Sequence, residues 1–144
     1  MASKSSVKVG KVIVGGGFPV SIQTMWKEPL APEGLDAAAS RIADLAALGC
    51  DILRFAVPDE AAAGTLGALA SRVDMPLVAD IHFDWRIALR CLDFPIAKIR
   101  INPGNIGAEW KVAEVVAKAK DRGIPLRIGV NAGSLPEDLR DRAV

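Results

Sequence analysis

Three arginines, one aspartate and one histidine fall at matching positions of short β-branched runs, and they carry most of the chemistry that this sequence offers. Arg54 sits in Ile52–Val57, Asp80 and His82 in Leu77–His82, Arg100 in Lys98–Asn102 and Arg127 in Leu126–Asn131. Side chains of a strand alternate between its two faces. By parity, Arg54 goes with Ile52 and Ala56, Asp80 with Val78 and His82, Arg100 with Lys98 and Asn102, and Arg127 with Gly129 and Asn131. The opposite faces are apolar, as in Leu53, Phe55 and Val57. An earlier run, Val20–Met25, adds Ser21, Gln23 and Met25 to the polar set.

Three guanidiniums, with Lys98 lower in its strand, then face a single carboxylate, Asp80. Arginine cannot discharge itself by losing a proton, and an unpaired buried charge costs several kcal/mol. An excess of positive charge in a concave site therefore asks for an anion. The planar guanidinium fork grips two phosphate oxygens at once, so convergent arginines point to a diphosphate. The plainer reading stays open: one arginine on an apolar strand is most often salt-bridged for structure, and Asp80 can serve as such a partner. Three at equivalent parity weigh toward a shared ligand.

His82, the one histidine, shares a face with Asp80, where a carboxylate can set its tautomer. Alone it reads first as a hydrogen-bonded structural residue. Asp-x-His at a strand end also suits a metal, but no further ligands are evident, so no metal site is assigned. Two loops look built for oxygen ligands. Asn102-Pro103-Gly104-Asn105-Ile106-Gly107 and Asn131-Ala132-Gly133-Ser134 each lead from an arginine strand towards a helix. Glycine permits close backbone approach and helix N-terminal amides attract anions. Each loop alone is a weak signal, because Asn and Gly are ordinary turn residues. Gly15-Gly16-Gly17 is no phosphate loop, since no G-x-x-x-x-G-K-S/T follows.

These residues need a parallel sheet to hold them. Leu35, Ala38, Ile42, Leu45 and Leu48 follow helical spacing, with Gly49 as a C-terminal cap. Further helices are expected from Asp59 to Val73, from Asp84 to Leu92, and through Trp110, Ala113, Val116 and Ala119 to Gly123. Ser134-Leu135-Pro136-Glu137 fits a capping box opening a fifth. Val7–Val14 fits a small hairpin. Strand–helix alternation gives an α/β class with a parallel sheet, either doubly wound or part of a (β/α)8 barrel. A whole barrel takes about 250 residues; the 144 here hold five units. Residues 1–19 thus read as an arm with a hairpin and 20–144 as a partial barrel that binds substrate.

Composition narrows the function classes. Hydrophobic residues are 51% and charged residues 24% of the chain, which is globular usage. Lys and Arg number 18 against 17 Asp and Glu, which gives no support to nucleic-acid coating or membrane-surface binding. No apolar run approaches a membrane span, and Met1–Ser6 opens no secretory signal. Cys50 and Cys91 lie far apart, form no Cys-x-x-Cys pair and cannot alone hold an iron–sulfur cluster. Two half-buried thiols in a reducing cytoplasm are the expectation.

Three long stretches carry a resemblance. Val78-Ala79-Asp80-Ile81-His82-Phe83-Asp84-Trp85-Arg86-Ile87-Ala88, then Ile99 through Gly107, then Arg127 through Leu135 resemble the 4-hydroxy-3-methylbut-2-enyl diphosphate synthase family. Val20–Met25 and Asp51–Arg54 look like the same family's first strands. The resemblance implies a barrel holding 2-C-methyl-D-erythritol 2,4-cyclodiphosphate at the strand C-termini. It implies diphosphate binding by Arg54, Arg100, Arg127 and Asn131, with His82 near the substrate. Asp80, Gln23, Asn102 and Asn105 would shape the site or bond to the ligand.

The resemblance also implies a 4Fe-4S cluster held by three cysteines and a glutamate of a C-terminal domain, reduced by ferredoxin or flavodoxin, in a homodimer. Those ligands are not among the 144 residues, and Cys50 and Cys91 match no cluster-binding word. The family usually shows a Thr-rich stretch after the first strand, where this chain has Trp26-Lys27-Glu28-Pro29-Leu30. The chain reads as the N-terminal part of a synthase, inactive alone. Two alternatives remain: a non-catalytic half-barrel for phosphorylated ligands, and a fragment of a pterin-binding synthase or aldolase, the last requiring Lys98 as Schiff-base lysine.

Overall fold

The computed structural model describes residues 3–135. It opens with an antiparallel hairpin, β1 (Ser6–Val9) and β2 (Val12–Gly15). Then come β3 (Gln23–Trp26), α1 (Leu35–Ala47), β4 (Ile52–Ala56), α2 (Glu60–Ala70), β5 (Leu77–Ile81), α3 (Trp85–Cys91) and β6 (Lys98–Ile101). A single turn, α4 (Pro103–Ile106), precedes α5 (Glu109–Arg122) and β7 (Leu126–Ile128). Strands β3 to β7 form one parallel sheet in sequence order. This is the alternating α/β arrangement that the strand and helix patterns demand, with β3 and β7 as edges of the described sheet.

Local chemistry explains the element ends. Asp59 caps α2 by accepting from the Ala62 amide at 2.7 Å, and Asp84 caps α3 by accepting from Arg86 at 2.9 Å. Gly49 (φ +93°) and Gly123 (φ +65°) close α1 and α5 in the left-handed region, where a β-carbon would be strained. Their amides bond back to the Ala46 and Lys120 carbonyls.

Several ends and one face differ from expectation. The strand expected over Val20–Met25 starts at Gln23; Val20 is 93% exposed. Helix α2 stops at Ala70 rather than Val73, and Leu48 is exposed. Helix α5 buries Val115 and Ala119, while Trp110, Ala113 and Val116 are exposed. Its buried stripe is therefore rotated from the expected one, because the apolar residues ring this helix and spacing alone does not choose between them. The capping-box helix expected from Ser134 lies largely outside the described residues.

One core lies between sheet and helices. Leu53, Phe55, Leu77, Ala79, Ile81, Ile99 and Ile101 meet Ile42, Leu66, Leu69, Ile87, Leu92 and Val115. The opposite face has a small second core, where Val9 of the hairpin packs on Ile52 and Val78 at the N-terminal ends of β4 and β5. The hairpin covers the lower end of the polar face, which leaves the strand C-termini as its approach. Among the described residues no helix is long and apolar enough to cross a membrane.

Candidate functional site

Strand register stacks the polar face in rows. Met25, Arg54, Val78 and Lys98 lie abreast. One row nearer the C-termini come Ala56, Asp80, Arg100 and Arg127. The helix-facing residues between these rows, Phe55, Ala79 and Ile99, are fixed in the core. A slip of one residue would turn every charge into that core.

Asp80, 3% exposed at its side chain, is the centre of the cluster. Its Oδ1 accepts from Arg100 Nη1 at 3.0 Å. Its Oδ2 lies 3.4 Å from Arg54 Nε and 3.5 Å from His82 Nε2. The Arg54 approach is an ion pair without hydrogen-bond geometry, since the buried Nε has no hydrogen-bond partner among the described residues. Arg54 Nη2 instead donates to Met25 Sδ at 3.2 Å. Two guanidiniums thus share one carboxylate, and the pair retains donor capacity that an anion can use.

The cavity above them has a volume of about 320 Å³ and is lined by Met25, Arg54, Asp80, His82, Arg100, Asn102, Asn105 and Asn131. Its asparagines come from the two loops that follow β6 and β7. Buried Asn102 caps α4, its Oδ1 accepting from Gly104 at 3.2 Å. Asn131 accepts from the Ser134 amide at 3.1 Å through Oδ1. The loops touch: a β-carbon on Gly104 would collide with the Ser134 carbonyl, so glycine sets their separation.

Seven of the nine sequence-derived site residues meet at this cavity. Arg127 pairs with Arg100 in register but is exposed and outside the lining. Gln23 lies below, accepting from Lys98 Nζ at 3.1 Å. Burial, then the nearby Arg127 and Arg54 charges, lower the Lys98 pKa from its usual value. Lys98 does not line the cavity, so the Schiff-base alternative finds no lysine there. Two contributors went unassigned in the sequence, Met25 and Gly129. The first holds Arg54 through sulfur; the second leaves room for the Arg100 guanidinium. Parity had placed both on the polar face, and register would have singled them out.

Neither cysteine belongs to the site. Cys50 donates to the Ile52 carbonyl at 3.3 Å. Cys91 is fully buried rather than half-buried, and burial pushes its thiol up to about 12. Among the described residues, no group of three or more His, Cys, Asp or Glu can hold a metal ion. These described side chains do not fit an iron–sulfur cluster.

Comparison with known proteins decides the family. The model of the GcpE TIM-barrel domain matches residues 4–144. The chain belongs to that family. It is 58% identical over 123 residues to the 4-hydroxy-3-methylbut-2-en-1-yl diphosphate synthase (flavodoxin) of Treponema pallidum, covering 85% of this chain and 30% of that protein. The protein of the same description from Geobacter sulfurreducens is 50% identical over 138 residues, covering 96% of this chain and 38% of its own length. The chain therefore spans about a third of the curated relatives it matches. A solved Xanthomonas albilineans dihydropteroate synthase superposes with a TM-score of 0.59 at 14% identity, over 95% of this chain and 54% of that one. That likeness concerns the fold alone.

Proposed function

We propose that the chain is the substrate-binding part of an isoprenoid-pathway oxidoreductase. In this reading the enzyme reductively opens 2-C-methyl-D-erythritol 2,4-cyclodiphosphate to 4-hydroxy-3-methylbut-2-enyl diphosphate. The observation that carries it is the sharing of Asp80 by Arg54 and Arg100 in a cavity at the strand C-termini, where barrel folds place their ligands. The relatives' description supports the reaction, and its parenthesis supports flavodoxin as electron donor.

Each residue then has a task. Arg54 and Arg100 take the diphosphate, with Arg127 one strand further on. Asn102, Asn105 and Asn131 bond to its oxygens or to the sugar-derived hydroxyls. Asp80 holds the guanidiniums in place, and His82 stands at the rim, where a proton can be held near the ligand. Reduction needs a 4Fe-4S cluster that these 144 residues do not ligate, so binding and orientation are their share, in a cytoplasmic homodimer.

Titration of the cyclodiphosphate against its unphosphorylated parent, 2-C-methylerythritol, tests this. The cyclodiphosphate should bind, lose affinity with rising salt and be displaced by inorganic pyrophosphate. Equal affinity for both, or binding indifferent to pyrophosphate, would overturn the assignment.

A further inference from the structure

A second cavity adjoins the first. It has a volume of about 610 Å³, and Met25, Trp26, Leu30, Phe55, Ala56 and Leu66 are among its lining. That size falls within the roughly 300–1,000 Å³ of small-molecule pockets. Its walls are mainly apolar. Trp26 stacks on Phe55 with ring centroids 5.4 Å apart, and the Arg41 guanidinium lies 4.8 Å from the Trp26 ring centroid. The segment after β3 is clamped over it, because Arg41 Nη1 donates to both Glu28 carboxylate oxygens at 2.8 and 2.7 Å.

The two cavities meet at one residue. Met25 lines both, and its sulfur accepts from Arg54 Nη2. Ala56, on the same strand face as Arg54, lines the apolar cavity alongside the helix-facing Phe55. The apolar space therefore begins on the cationic face and runs over the strand ends towards α2. A ligand with a doubly phosphorylated head and a hydrocarbon chain matches this order of surfaces: guanidiniums first, then Met25, then the aromatic wall.

From this continuity we propose that the site also binds diphosphate esters of longer hydrocarbon chains, with the head on Arg54 and Arg100 and the chain in the Trp26–Phe55 pocket. The proposal rests on the anion-site reading above. It makes the site sensitive to prenyl-type diphosphates, which would compete with the cyclic substrate for the same arginines.

The test is calorimetric titration with methyl diphosphate, 3-methylbut-3-enyl diphosphate and geranyl diphosphate, the last below its micellar concentration. Affinity should rise about tenfold or more from the methyl to the geranyl ester, because each methylene that enters the pocket leaves water. Ala62→Phe, which fills the pocket from α2, should remove that gain and leave methyl diphosphate binding unchanged. Leu30→Asp, which puts a carboxylate in the pocket from the segment after β3, should do the same. Geranyl diphosphate binding no tighter than methyl diphosphate would overturn the proposal while the anion site stands. A gain that survives both substitutions would also overturn it. No binding of any diphosphate would remove the anion site and the proposal together.

Discussion

The Arg100 guanidinium occupies the space that a side chain at residue 129 would fill. Arg100 Nη2 lies 3.4 Å from the Gly129 carbonyl oxygen, and a β-carbon on Gly129 would stand 2.6 Å from that nitrogen. The backbone of β7's continuation and the arginine of β6 thereby fix each other, which holds the guanidinium against Asp80.

Gly129→Ala is expected to shift Arg100 rather than unfold the chain, because a guanidinium is the mobile end of a flexible side chain. Pyrophosphate affinity should fall about tenfold, roughly 1.4 kcal/mol, with the melting temperature nearly unchanged. Calorimetry and a thermal melt on the same sample check this; undiminished affinity would dissociate Gly129 from the site.

Asp80→Asn separates stability from binding. It leaves Arg54 and Arg100 without their shared counter-charge in a mostly buried setting, and removing one partner of such a group costs about 3–5 kcal/mol. Urea unfolding should show a loss towards the lower end of that range, since both arginines keep some solvent contact. Pyrophosphate binding should hold or tighten, because the cavity loses its negative charge. A stable variant with abolished binding would contradict both halves.

Lys98 gives a pH signature. Its pKa in the folded chain lies below the usual 10.5, so between the two values the unfolded chain binds more protons and stability rises with pH. The penalty of keeping Lys98 charged is full below the folded value and fades as pH climbs towards 10.5. Lys98→Met should therefore be stabilising at pH 7, with its advantage shrinking by pH 10 in paired urea melts. A constant difference across that range would mean that burial and the neighbouring arginines do not act on Lys98 as described.

The thiols should separate by reactivity. Cys91 is fully buried with its thiol held up to about 12, while Cys50 is partly accessible. Iodoacetamide at pH 8 should modify Cys50 alone in the native chain and both after unfolding, as mass spectrometry would read. Native labelling of Cys91 would contradict the packing around α3. Because burial raises its folded pKa, the unfolded chain gives up the Cys91 proton first, and stability falls as pH rises between about 9 and 12.

Much of this site was legible in the residues because a parallel strand buried on one face has a period of two. Once Leu53, Phe55 and Ile99 are core, Arg54 and Arg100 must point the other way. The asparagine loops followed from turn chemistry, and the caps at Asp59 and Asp84 from helix termini. What stayed hidden needs contacts across strands. The Met25 sulfur and the bare backbone of Gly129 matter only because of what stands beside them. The buried face of α5 is not legible in the sequence, because Trp110, Val112, Val115 and Val116 offer two overlapping stripes and only packing in the fold selects one.

The most direct measurement is calorimetry of 2-C-methyl-D-erythritol 2,4-cyclodiphosphate with the chain and its Arg100→Ala and Arg127→Ala variants. Loss of a charge-assisted pair of hydrogen bonds should weaken binding about ten- to hundredfold for Arg100→Ala and less for the exposed Arg127. Binding heat and affinity that persist unchanged in both variants would contradict the account.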